Sequence, residues 1–420
     1  MHRGTGMQAG GRVLSVAVLD TIHGGSIIAA KMAESGLNAQ ALEVYHHTPD
    51  LGGYDLVVSP VHLSPNNPAL AQVRREKKKV ISHHQAVGEL LLARRGGRPL
   101  PQVFEVTGTH SKTTSALLLS LILSGRKRVL SHTTRGLEVW EDGRPRLIRS
   151  GLSITPASVI LALDAAAEQG VQALVAEVSL GGTGLADFGI ITSLSTDYLI
   201  AGQTKYASTA KLQMLSLAKR GAKILCHADA RLSADVTFAS GGMVRARPDS
   251  LLFGAERTGL DTDDSLHFAS YETAIAAAAA AAWAAGLTAG EIARSISGFA
   301  GFAGRMKTIE RDGTILYDCS NSGLKAKDVD WALDLAKGEG LTLVVGEDAK
   351  TVCEGMNIPA LAELLRQRRA EAARLILVGE RLLPLVDGLS AEWAGNLEEG
   401  LAKANEGSPK RLLSCVKCFR

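Results

Sequence analysis

Val103-Phe104-Glu105-Val106 runs into Thr107-Gly108-Thr109-His110-Ser111-Lys112-Thr113-Thr114, and Ala116 to Leu123 continues in an apolar, helical pattern. A buried strand, a loop of small and hydroxyl residues and a helix thus follow in the order that a phosphate cradle needs. Backbone N–H groups at the helix start and its positive dipole end face a phosphate, Lys112 adds a point charge, and the Thr113 hydroxyl can ligate Mg²⁺. The full Gly-x-x-x-x-Gly-Lys spacing is not present, because Val106 takes the place of the first glycine and Ser111 the place before the lysine. Taken alone, the same residues also suit a helix start capped by serine and threonine hydroxyls.

Outward from this loop, short Val-, Ile- and Leu-rich runs alternate with longer segments of helical periodicity, the pattern of parallel sheets with crossover helices. The expected class is α/β. Before the loop, strands are expected at Val13–Asp20, Leu42–Tyr45, Tyr54–Ser59 and Lys79–Ser82, with helices at Gly25–Gly36 and Asn67–Lys78. The polar, turn-rich Arg94–Pro101 segment sets a first boundary, and Gly298–Arg305, small residues around two phenylalanines, sets a second. Three units follow: 1–100, 101–305 and 306–420. The last carries expected strands at Thr314–Tyr317, Leu341–Val345 and Arg374–Val378.

Composition narrows the function classes. The 420 residues hold 46 basic and 43 acidic side chains and 46% hydrophobic residues, which suits several packed cores, and the basic runs Arg74–Lys79 and Arg126–Arg128 are short and lack the interleaved aromatics of a nucleic-acid surface. The longest apolar stretch, Thr273–Leu287, is mostly alanine and too weak for a membrane span, so it reads as a buried helix. The start of the chain lacks the pattern of an export signal, and five cysteines, an odd number, suggest no disulfide framework. A cytoplasmic protein is expected. The terminal Cys415-Val416-Lys417-Cys418 offers two thiols where a structural zinc site needs four ligands, and neither Cys319 nor Cys353 is placed to add to them. The pair reads as structural.

Further motifs follow the loop in chain order: Thr155-Pro156 before a helix, Glu177-Val178-Ser179 after the strand Ala173–Ala176, Thr192-Ser193-Leu194-Ser195-Thr196-Asp197 after Gly189–Ile191, Tyr206 with Lys211, and Phe302-Ala303-Gly304-Arg305 before a strand ending at Asp318. Together they resemble the Mur ligase superfamily, ATP-dependent enzymes that activate a carboxylate as an acyl phosphate. The resemblance implies a Rossmann-like substrate domain, a central P-loop ATPase domain and a C-terminal Rossmann-like domain. It also implies that Gly108, Thr109, His110, Ser111, Lys112, Thr113 and Thr114 hold the ATP phosphates, that Thr113 and Glu177 hold Mg²⁺, and that Lys112, Glu177 and Lys211 are catalytic. Lys211 aligns with a lysine that is carbamylated in many members, where the new carboxylate binds metal. The superfamily usually carries Asp-His where this chain has Asp197-Tyr198, which leaves Asp197 as the candidate second metal ligand. Glu272 stands where an asparagine commonly meets adenine, and Arg305 and Asp318 match the contacts to phosphate or ribose.

The substrate is read from the remaining residues. Asp20-Thr21-Ile22-His23-Gly24-Gly25-Ser26 lacks the Gly-x-Gly-x-x-Gly of a dinucleotide loop, so a UDP-sugar site is not supported. Seven of the eleven histidines, His2, His23, His46, His47, His62, His83 and His84, lie in the first unit, mostly in expected loops, where they would be either unliganded or part of a pocket for a polyanionic or metal-containing molecule. His132-Thr133-Thr134-Arg135-Gly136 is expected to follow a strand at the edge of a substrate cleft, with Arg135 suited to a carboxylate. The stretch His132–Glu138 and the pair Asp197-Tyr198 resemble the branch that closes a carbocyclic ring on the propionate of a seco-nickel-tetrapyrrole. His23, His132 and Arg135 are then the candidate substrate residues. An amide-forming amino-acid ligase and a non-catalytic ATP-binding protein remain the competing classes.

Overall fold

The computed structural model describes residues 13–93, 100–348 and 355–418. His2, Cys353 and most of the Arg94–Pro101 boundary segment lie outside the described residues. By packing the chain forms two compact units, 1–259 with 272–296, and 260–271 with 297–420.

Among the described residues the first unit holds two large sheets and a two-stranded one. In the smaller of the two large sheets, β1 (Ser15–Leu19), α1 (Gly25–Glu34), β2 (Asn38–Leu42), β3 (Leu56–Ser59), α2 (Pro68–Arg75), β4 (Lys79–Ser82) and α3 (His83–Ala93) build a parallel sheet of order β2-β1-β3-β4. The strand expected at Leu42–Tyr45 is instead Asn38–Leu42. It is a half-exposed edge strand, and Asn-Ala-Gln-Ala lacks the β-branched run that marks a buried one. Helix α3 was not expected, and its two leading histidines are both buried.

The larger sheet has eleven strands. It is built from β5 (Gln102–Thr107), α4 (Lys112–Ser124), β6 (Val129–Thr133), β7 (Gly136–Glu141), β8 (Arg144–Arg149), α5 (Pro156–Glu168), β9 (Ala173–Glu177) and β10 (Phe188–Ile191). A small hairpin, β11 (Leu199–Ile200) and β12 (Lys205–Tyr206), leads into α6 (Ala207–Lys211) and α7 (Gln213–Ser216). The sheet then continues with β13 (Lys223–His227), β14 (Val236–Phe238), β15 (Val244–Arg247), β16 (Ser250–Phe253) and β17 (Glu256–Gly259). The order is β17-β16-β15-β14-β13-β10-β5-β9-β6-β7-β8, parallel from β15 through β6 and edged by antiparallel strands on both sides. Strand β5 lies between β9 and β10, so the chain leaves it to one side and returns on the other. Its carboxyl end is a topological switch point, where ligands of open α/β sheets bind.

The alanine-rich segment is helix α8 (Phe268–Ala284), followed by α9 (Ala289–Ser295). Ala274 to Ala282 are each no more than 1% exposed, as a helix apolar on every side must be. Among the described residues no helix is long and apolar enough to cross a membrane.

The second unit is built on β18 (Lys307–Arg311), β19 (Thr314–Asp318), α10 (Ala326–Ala336), β20 (Leu341–Glu347), α11 (Ile358–Arg368), β21 (Arg374–Val378), β22 (Glu392–Ala394), α12 (Leu397–Glu406) and β23 (Arg411–Lys417), in the order β18-β19-β23-β20-β21-β22. The last strand, which carries Cys415, is thus an interior strand of the sheet. Cys415 packs in the cluster with Leu343 and Leu413, whereas Cys418 packs with Val344 and Val416 in the cluster on the other face. Three residues apart on an extended chain, the two thiols point to opposite sides and cannot ligate one ion.

Candidate functional site

The carboxyl end of β5 presents the loop read first in the sequence. Gly108 has φ +149°, and a Cβ there would sit 2.1 Å from the Thr192 hydroxyl, so only glycine lets the loop pass this close to the end of β10. The Thr109 N–H donates to the Ser193 carbonyl at 2.8 Å and its hydroxyl to the Ser195 carbonyl at 2.7 Å. The Thr192 hydroxyl donates to the Thr107 carbonyl at 3.1 Å and also to that of His110. The His110 ring meets the Thr196 hydroxyl. These bonds hold the loop from the β10 side and leave its backbone N–H groups at the start of α4.

Ser111 occupies the position before that helix with φ +62° and makes no side-chain capping bond. The alternative of a hydroxyl-capped helix start is therefore not what its side chain does. Its carbonyl accepts from Ser115 N at 2.8 Å, the first turn of α4.

Thr113 and Glu177 come together. The Thr113 hydroxyl donates to Glu177 Oε2 at 2.8 Å, and both side chains are buried, at 7% and 1% exposure. Strand pairing sets this up: Val106 of β5 lies opposite Glu177 of β9, so the carboxylate emerges beside the loop. A hydroxyl and a carboxylate facing each other are hard oxygen donors, suited to Mg²⁺ or a similar divalent ion. Lys112 is half-buried at the first residue of α4.

Lys211 and Asp197 form a second group. Lys211 is 1% exposed, with Nζ 5.1 Å above the Tyr198 ring, so it is no surface lysine. Partial burial pushes the Asp197 carboxyl up, but hydrogen bonds from Ser208 and Tyr198 N–H and the Lys211 charge outweigh it and hold the group below its usual range. Asp197 Oδ1 accepts from both Tyr198 N, at 2.9 Å, and Ser208 N, at 3.0 Å.

Two of the three candidate substrate residues are placed otherwise than expected. His132 lies within β6, fully buried, with Nε2 3.1 Å from the Ser153 carbonyl and a buried Nδ1 without a hydrogen-bond partner. The strand runs two residues further than the sequence suggests and carries the ring into the core, away from any cleft edge. Arg135, in the tight turn between β6 and β7, forms a 2.8 Å ion pair with the buried Glu138. A guanidinium so engaged is first a partner for Glu138 and not an open receptor for a carboxylate. His23 lies just beyond β1 against Asp20.

Glu272 is half-buried on α8. In the second unit, the Asp318 carboxylate accepts from Gly304 N at 2.9 Å and from Ser320 N at 3.2 Å, which fixes the turn that carries Arg305.

Sequence reading missed two supporting residues. Glu105 lies wholly inside β5, and its carboxylate, pushed up by burial, accepts from Thr183 N at 2.9 Å and from the Thr183 hydroxyl. It thereby fixes the glycine-rich turn that follows Glu177. A lone glutamate in the apolar run Val103–Val106 was the signal. His84 reaches from α3 to the Ser179 carbonyl at 2.7 Å.

Comparison with known proteins gives the family. Residues 308–418 match the family described as Coenzyme F430 synthetase CfbE, C-terminal domain. The coenzyme F(430) synthetase of Methanosarcina acetivorans is 35% identical, over 96% of this chain and 98% of its own length. Among solved structures, MurF from Acinetobacter baumannii superposes with a TM-score of 0.57 at 16% identity, covering 82% of this chain and 79% of its own. The bifunctional folylpolyglutamate synthase/dihydrofolate synthase from Yersinia pestis gives 0.56 at 17% identity, covering 80% and 90%. These last two likenesses show the shared fold. The chain is an ATP-dependent ligase that belongs to the coenzyme F(430) synthetase family and has a Mur ligase-like fold.

Proposed function

We propose that the enzyme converts a substrate carboxylate to an acyl phosphate at the expense of ATP, and that the substrate is a seco-nickel-tetrapyrrole whose activated propionate is captured by a carbon of the same molecule. The reading rests on the contact of Thr113 with Glu177 at the carboxyl ends of β5 and β9, beside a helix N-terminus preceded by Gly108. The relationship to the coenzyme F(430) synthetase of Methanosarcina acetivorans supports the substrate.

The roles follow from the chemistry of each group. Backbone N–H groups of residues 110–113 and the Lys112 ammonium hold and neutralise the phosphates. Thr113 and Glu177 are the residues that would hold a divalent metal, Mg²⁺ in this reading, which when bound would offset charge on the transferring phosphoryl group. Lys211, buried beside Asp197, completes the catalytic set, either carbamylated, as the superfamily resemblance implies, or in direct contact with phosphate. Glu272, Arg305 and Asp318 are assigned to the nucleotide. In the first step a carboxylate oxygen attacks the γ-phosphorus and ADP leaves. In the second a carbon nucleophile attacks the acyl carbon and phosphate leaves, so the macrocycle loses one water overall. Holding the nucleophile in the same molecule replaces a second bound reactant.

The test is mass spectrometry of the product formed from ATP, Mg²⁺ and the seco-tetrapyrrole, with and without added amino acids. Loss of one water from the macrocycle, with one ADP released and no amine required, is the expected result. A mass gain equal to an amino acid would make the enzyme an amide-forming ligase instead.

A further inference from the structure

We propose that Asp20, His23 and His62, in the first sheet and separate in sequence from the phosphate loop, bind a single divalent transition-metal ion. The ligating atoms of the three residues all lie within 4.8 Å of one another. Asp20 Oδ2 is the centre of the group: His23 Nδ1 is 2.6 Å from it, His62 Nε2 3.5 Å and the Tyr45 hydroxyl 3.0 Å.

The fold brings these residues together for a topological reason. From β1 the chain passes to β2 on one side and then to β3 on the other, so the switch point of this sheet lies at the carboxyl end of β1. Asp20 directly follows β1, Tyr45 follows β2 and His62 follows β3. Three separate loops therefore converge at one crevice.

Asp20 divides its oxygens between two tasks. Oδ1 accepts from Ile22 N at 2.7 Å and His23 N at 3.0 Å and so shapes the loop, while Oδ2 faces the two rings. Its backbone has φ +81°, a left-handed conformation unusual for aspartate and held by the bond from Asp20 N to the Leu42 carbonyl at 2.9 Å. The carboxylate is fully buried, whereas the two imidazoles are 32% and 30% exposed, which gives an ion a path in and leaves positions open toward solvent.

The donor set selects the class of ion. Two imidazole nitrogens and one carboxylate oxygen suit zinc, nickel, cobalt or ferrous iron, while magnesium and calcium prefer oxygen alone. At metal–ligand distances of about 2.0–2.2 Å, neighbouring donors stand roughly 3.0–3.5 Å apart. The 2.6 and 3.5 Å separations around Oδ2 straddle that range, so small side-chain rotations suffice. The Tyr45 hydroxyl, 3.0 Å from Oδ2, 3.4 Å from His23 Nδ1 and 3.3 Å from His62 Nε2, stands beside all three donors and orients the carboxylate by donating to it. Both rings face one oxygen, and a cation takes the place of the protons that would otherwise have to lie between them.

The experiment is a Co²⁺ titration of the full chain, without a histidine tag and after chelator treatment, in millimolar Mg²⁺ to occupy oxygen sites. One equivalent should bind with d–d absorption in the visible, and Zn²⁺ should displace it. His23→Ala and His62→Ala, both at partly exposed positions, should each weaken binding at least ~10-fold, and Tyr45→Phe about 10-fold with unchanged stoichiometry. Thr113→Val should leave the titration as it is. Absence of one-equivalent binding, wild-type affinity in both histidine variants, or loss of binding in Thr113→Val would overturn the assignment. Melting curves of each variant confirm that it is folded before the titration is read.

Discussion

His84 donates from Nε2 to the carbonyl of Ser179 at 2.7 Å, which ties helix α3 of the small sheet to the segment two residues beyond Glu177. The bond fixes the proton on Nε2, and burial pushes the ring's pKa down to about 4. Gln213 reinforces the junction. Its amide donates to the Leu180 carbonyl at 3.1 Å and accepts from the Ser82 hydroxyl at 2.6 Å.

Stability should therefore fall as the pH drops below neutrality. Burial lowers the pKa of His83, His84 and His132 from 6.5 to about 4 in the folded state. Above pH 6.5 neither state binds these protons and the groups contribute no slope. Between about 6.5 and 4 the unfolded chain takes them up and the native chain does not, so each histidine costs up to about 1.4 kcal/mol per pH unit. Urea midpoints at pH 7.5, 6.0 and 5.0 should fall in that order. His84→Gln keeps a donor for Ser179 and should make the decline shallower; an equally steep decline would show that this ring is not among the groups responsible.

Lys112→Ala should lower ADP formation at least ~100-fold with little change in melting temperature, since the side chain is half-buried at a helix start and no part of a core. Glu177→Gln keeps an oxygen that accepts from Thr113 but removes the charge. It should raise the half-saturating Mg²⁺ concentration by at least ~10-fold while metal-free ATP binding changes little. An unaltered Mg²⁺ titration would move the metal away from Glu177.

What the sequence made legible and what it hid divide along physical lines. The β5–α4 loop could be read because its strand, small residues, lysine and hydroxyls are contiguous, and β21 because its apolar run Leu375–Val378 ends at a glycine. Strand β23 is hard to read because Arg411-Leu412-Leu413-Ser414-Cys415-Val416-Lys417 is short and flanked by charges, although its pairing with β19 and β20 makes it interior. Strand β8 is an exposed edge strand whose Arg-Pro-Arg-Leu-Ile-Arg carries no buried run. The hairpin of β6 and β7 hid two site residues at once: it buries His132 and closes Arg135 onto Glu138, a pairing set by the turn and not by local composition. The convergence of Asp20, His23 and His62 depends on strand order, which no single stretch of sequence states.

Arg135→Ala should destabilise the protein whatever its effect on substrate. Glu138 is buried, and burial raises its pKa even against the opposing charge of Arg135. Without that charge the carboxylate has to be protonated or stay uncompensated, at a cost of about 3 kcal/mol in the limit of a buried pair and less here because Arg135 is partly exposed. A carboxyl with a raised folded pKa loses stability as pH rises, so the deficit should be larger at pH 7.5 than at pH 5. Arg135→Ala combined with Glu138→Gln should recover much of the melting temperature. A single variant as stable as wild type at both pH values would rule the ion pair out as a structural element.

Ser111→Gly should stabilise the enzyme and preserve its activity. Ser111 holds φ +62° at the start of α4 and makes no capping bond, so its side chain gives the helix nothing that glycine would remove. For a residue with a Cβ the left-handed region costs roughly 1–2 kcal/mol, and the extra freedom of glycine in the unfolded chain returns about 0.5–1 kcal/mol of that difference. A net gain of about 0.5–1 kcal/mol is expected, visible as a higher urea midpoint with an unchanged slope. The phosphate contacts assigned to this loop come from backbone N–H groups and Lys112, so the KM for ATP should not rise. A stabilised variant with several-fold weaker ATP use would show that the Ser111 hydroxyl binds phosphate directly. A destabilised variant would show that the hydroxyl anchors the loop, and the strain at φ +62° would then be the smaller effect.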